Sequence, residues 1–176
     1  MKTTRRNMLL GALAVPTVAG LARWRWQYGA HSGLVHDPSL DAGQRFAAAG
    51  RAAGTSSRAI EGDTIRFAQE LVASRPALIA GVSRHADALM IGEVALEAGY
   101  TLAAEIRGQS EGCECFTHDS AWLPLARMAV GARHDWAERF AGWAARPDGT
   151  AEAMSIAARR QPDRELALGW LLVPRG

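Results

Sequence analysis

Two thiols and an imidazole fall within six residues of this chain, in the run Cys113-Glu114-Cys115-Phe116-Thr117-His118. Thiolate sulfur and imidazole nitrogen both suit soft metals, so Cys113, Cys115 and His118 could together reach one copper or zinc ion. The cysteine pair admits two further readings. An oxidising compartment could join the two sulfurs in a small, strained and easily reduced ring, or leave both as surface thiols.

A second set of residues acquires meaning only if the chain builds a parallel sheet. The expected strands run out into His36-Asp37, Glu61-Gly62-Asp63 and Ser83-Arg84-His85. Open α/β sheets hold their ligands beyond the carboxyl ends of the strands, which makes His36, Asp37, Asp63, Ser83 and His85 a candidate ligand rim. Helix capping alone accounts for three of these, because Asp37, Asp63 and Ser83 each stand just before an expected helix. The turn after the first strand, 36–43, lacks Gly-x-Gly-x-x-Gly and places acids where a phosphate would sit, and no Gly-Lys-Ser follows elsewhere. Standard dinucleotide and mononucleotide binding are therefore not expected.

Three local resemblances add to this. Gly81-Val82-Ser83-Arg84-His85 resembles the Gly-x-Ser-x-Gly nucleophile elbow of α/β-hydrolases in its first three residues, with His85 in place of the last glycine. That likeness implies a serine nucleophile at Ser83, a base from His118 or His134, and Asp119 or Asp135 to orient it. The run Cys113 to Thr117 is similar to the Cys-Phe-Cys-Phe core of copper chaperones for cytochrome oxidase assembly, a β-sandwich family, which implies copper as a ligand. Thr4-Arg5-Arg6-Asn7-Met8-Leu9-Leu10 resembles the twin-arginine translocation signal. This implies export in a folded state by the twin-arginine machinery.

The elements that must position these groups are read from periodicity. Residues 77–82 form a short apolar run, 86–98 place Leu89, Met90, Val94 and Glu97 at helical spacing before Gly99, and 101–106 resume a β-compatible run. This is one βαβ unit. Upstream, 33–36 and 58–60 read as strands, with helices starting at Asp37-Pro38 and spanning 64–74. Downstream, 109–120 reads as a loop, 122–130, 135–145 and 150–160 as helices, and 166–173 as a final strand at or near a sheet edge beside 101–106. The expected fold is α/β: one three-layer domain whose mostly parallel, doubly wound, Rossmann-like sheet has about five strands. Trp122, Trp136, Trp143 and Trp170 read as packing residues and not as a cofactor cage.

Composition sets the outer bounds. The 176 residues are 48% hydrophobic and 22% charged, an ordinary globular balance. Residues 1–6 are basic and acid-free, 8–22 are apolar and end in small residues, and the whole reads as a cleaved signal peptide of residues 1–22 before a single domain over 23–176. The apolar run is too short to cross a bilayer comfortably, so membrane attachment follows only if the signal is retained, with Trp24, Trp26 and Tyr28 at the interface. Removing Lys2, Arg5 and Arg6 from the 20 basic residues leaves 17 against 18 acidic, which takes away the electrostatic basis for nucleic-acid binding. The sequence thus points to a periplasmic accessory or binding protein, metal- or redox-linked through Cys-x-Cys, with a larger exported enzyme as a candidate partner. The alternative is a small periplasmic oxidoreductase or hydrolase with its site at the strand ends.

Overall fold

Along residues 78–83, side chains alternate between two separate cores: Leu78, Ala80 and Val82 join one apolar cluster and Ile79 joins the other. A strand buried on both faces needs helices on both sides, and that requirement organises the fold. The computed structural model describes residues 31–109, 112–117, 122–146 and 166–175. In chain order these form β1 (Ser32–His36), α1 (Asp41–Ala52), β2 (Ser57–Ala59), α2 (Thr64–Ala73), β3 (Leu78–Ser83) and α3 (His85–Glu97). There follow β4 (Tyr100–Gln109), β5 (Gly112–Thr117), α4 (Leu123–Ala132), a 3-10 turn (Arg133–Asp135), α5 (Trp136–Ala145) and β6 (Leu168–Pro174). The expected signal segment and the expected helix over 150–160 lie outside the described residues.

The strands make one six-stranded sheet in the order β2-β1-β3-β6-β4-β5. β1 pairs in parallel with β2 and β3, whereas β6 is antiparallel to both β3 and β4, and β5 is antiparallel to β4. The α/β class holds. The mostly parallel five-strand, Rossmann-like sheet does not: the sheet is mixed, and two segments account for the difference. Residues 112–117 form an edge strand where a loop is expected, because Cys113 and Cys115 pack on the core while Glu114 and Phe116 alternate outward. The final strand does lie beside β4, but in the middle of the sheet and not at its edge. Leu168 to Val173 are buried at every position, and a run that is apolar on both faces is only stable inside a sheet.

Helices α1, α4 and α5 supply one core, with Phe46 of α1 and Phe140 of α5 at 5.5 Å between ring centroids. Helices α2 and α3 supply the other through Phe67, Ala68, Leu71, Ile91 and Ala95. The four expected packing tryptophans are all buried. Trp170 packs over Gly81, its pairing partner on β3, and Trp136 covers Gly108 and Gly169; a Cβ at any of these glycines would run into the ring above it. Each large ring thus fills space left by the missing side chain beneath it.

Candidate functional site

After β1 the chain leaves toward α1 on one face, and after β3 it leaves toward α3 on the other. β1 and β3 are neighbours, so their carboxyl ends flank the crevice where connections in an open α/β sheet part company. Asp37 follows β1 directly, and its N–H still bonds to Val82 of β3 at 2.9 Å. Its nearly buried carboxylate turns back on the chain: Oδ1 accepts from Ser39 N–H at 2.8 Å and from Ser39 Oγ at 2.6 Å. Arg84, which follows β3, reaches across the crevice to donate from Nη2 to Ser39 Oγ at 3.0 Å, with Nε 3.7 Å from Asp37 Oδ2. Gly43 is required here, since any Cβ would collide with the Asp37 carbonyl as α1 passes.

This arrangement replaces the caps expected from the sequence. Because Asp37 closes a local turn on Ser39, α1 starts three residues later than Asp37-Pro38 predicts, with Leu40 as an N-cap that offers no side-chain acceptor. α3 is likewise preceded by Arg84, whose side chain does not cap. Ser83 is neither cap nor exposed nucleophile. It is fully buried, accepts from the Trp170 indole at 2.9 Å and donates to the Arg84 carbonyl at 3.0 Å, so the hydrolase-elbow likeness is not matched by an accessible hydroxyl. Asp63 is exposed and does cap α2, accepting from Ile65 and Arg66 N–H at 2.9 and 3.2 Å. His85 is exposed at the first position of α3.

His36 sits at the end of β1, half-buried, with Nδ1 2.8 Å from Ser57 Oγ of β2. Burial pulls its pKa below the ordinary 6.5, with the backbone of Arg58 opposing and the charge of Arg51 assisting. A neutral imidazole at that distance can accept the serine proton. Ser39, Ser57 and Arg84 are the site residues that sequence reasoning missed. The parallel register, in which His36 faces Ala59 and Leu34 faces Ser57, would have located Ser57.

The cysteine set is separate from this rim. β5 is the sheet edge opposite β2, four strands away from β1. Cys113 and Cys115 are free thiols facing α4, and Cys113 Sγ donates toward the Ala129 carbonyl at 2.9 Å. Burial pushes both thiols up to about 11, with their mutual repulsion adding at Cys115, so neither is a ready thiolate at neutral pH. His118 lies outside the described residues, and among the described residues no group of three or more His, Cys, Asp or Glu side chains is placed to hold a metal. No helix among the described residues is long and apolar enough to cross a membrane. Compared with protein-family models, curated proteins and solved structures, the chain finds no match.

Proposed function

We propose that this chain is an exported periplasmic binding or accessory protein that holds a small polar ligand in the crevice between the carboxyl ends of β1 and β3. The observation that carries this reading is the Asp37-Ser39-Arg84 network, which spans the point where the two strands separate. A half-exposed guanidinium can take a ligand carboxylate, and the buried Asp37 with its serine can take a hydroxyl. The N-termini of α1 and α3, whose preceding residues do not cap them with side chains, lie at the same end of the sheet and favour a negative group there. The basic start and apolar run of residues 1–22 support export by the twin-arginine machinery, and a larger exported enzyme is the natural partner for an accessory role.

The test is a thermal-shift screen of hydroxycarboxylates, dicarboxylates and sugars, since a ligand that binds only the folded state raises its melting temperature. At least one compound is expected to stabilise the wild-type chain by several degrees and to lose that effect in Arg84→Ala. Stabilisation that persists in the variant would place the ligand elsewhere and remove this reading. The His36–Ser57 pair favours one alternative, a small hydrolase. Turnover of an ester panel that disappears in both Ser57→Ala and His36→Gln would establish it instead.

A further inference from the structure

Beyond α3 on the face it shares with α2, the described residues cover the sheet thinly. Leu89 and Leu96 of α3 are 57% and 43% exposed, and Phe116 of β5 is 47% exposed. A cavity of about 200 Å³ opens there between α3 and the sheet, walled by Leu89, Leu96, Leu102, Leu172 and Trp170. An apolar cavity of roughly 150 Å³ is enough to take benzene, so this one accommodates a body of that size or somewhat larger.

Three observations indicate what kind of body. First, the charged groups lining the cavity are acidic, Glu93 and Glu105, with His85 beside them. Second, Glu105 stands in a cross-strand row between Trp170 of β6 and Phe116 of β5, with its side chain only 19% exposed. Its Oε1 accepts from Arg107 Nε at 2.6 Å, and the Arg107 Cζ lies 4.9 Å from the Phe116 ring centre. A carboxylate and an aromatic face thus already hold one cation, on a side chain that is itself half exposed and displaceable. Third, Gly92 lies inside α3, where glycine weakens a helix, and a Cβ built on it meets nothing within 4 Å. No turn or close approach requires glycine there; what its missing side chain leaves is room in the cavity that it lines.

We propose that this cavity binds a small organic cation with an apolar body, an alkylammonium or arylammonium. Its head joins Glu105 and its body lies along Trp170 and the leucines. The site is separate from the crevice at the strand ends and stands whether or not a ligand is found there. The test is calorimetric titration of the full chain with n-hexylammonium, 1-hexanol and hexanoate, three probes of one length and different charge. Hexylammonium is expected to bind at least tenfold more tightly than the other two, and Glu105→Gln is expected to erase that preference. Gly92→Leu should abolish binding by filling the cavity while holding or raising the melting temperature, because leucine is the better helix former. Equal affinity for all three probes, no binding of any, or binding untouched by Gly92→Leu would overturn the proposal. A dimer in sedimentation velocity that Leu89→Glu dissociates, in a chain that takes up no hexylammonium, would assign the face to a second copy and overturn it as well.

Discussion

A single imidazole at the end of β1 gives the fold a pH dependence. His36 has a pKa lowered by burial in the folded chain, while the unfolded chain keeps the ordinary value of 6.5, so the unfolded state binds the proton first as pH falls. Its contribution to stability is complete above 6.5 and is lost as pH drops from there through the lowered value. Urea midpoints measured between about pH 8 and pH 5 should decline with acidification, and His36→Gln should flatten the lower part of that profile. An identical slope in the variant would show that other groups set it. The sequence placed His36 at the rim, because a strand ending in a polar residue is visible locally. Its partner Ser57 was not visible, since which hydroxyl meets the ring depends on the register of two strands separated by a helix. The cysteines illustrate the same boundary. Their spacing was plain, but the helix beneath them, which keeps them as thiols, is eight or more residues further along.

At the scale of elements, α1 is tied to α5 by one arginine. Arg45 Nε bonds to Asp41 Oδ2 at 2.8 Å, and Nη1 donates to Glu138 at 3.0 Å and to the His134 carbonyl at 2.9 Å. The Arg45 and Glu138 side chains are 17% and 11% exposed. Removing one member of so enclosed a pair strands the other's charge, so Arg45→Ala should cost about 3 kcal/mol in denaturant unfolding. Glu138→Gln should cost less when added to Arg45→Ala than alone, because the stranded charge is then gone. A fully additive double variant would show that the pair is not coupled. Element boundaries were legible where one signal decided them, as at Asp63 and Gly99. They were displaced where two competed: Asp37 can cap a helix or close a turn on Ser39, and only the crossing of Arg84 and the close passage of Gly43 favour the turn. β5 is hard to read locally because its inward-facing residues are cysteines, a residue type that signals reactive chemistry as readily as apolar packing.

At the scale of the whole molecule, the α/β class and the β3-α3-β4 crossover were readable from periodicity, and β3 and β4 do run in the same direction. What lies between them was not readable. A helical crossover can span an intervening strand, and no local feature of residues 78–106 announces that β6, some sixty residues later, fills the gap. A chain ending at residue 165 should therefore lose cooperative unfolding by circular dichroism and elute as expanded or associated species on gel filtration. Retention of a sharp transition would mean that the two half-sheets stand alone. The central place of β6 also bears on how the molecule is made. Ribosomes deliver β1 to β5 well before β6, and during that interval β3 and β4 each carry an open, apolar edge facing the other across a strand-wide gap. The nascent chain must be kept from pairing those edges with its neighbours until β6 emerges, and any product truncated short of it presents the same two edges permanently, marked out for aggregation or proteolysis.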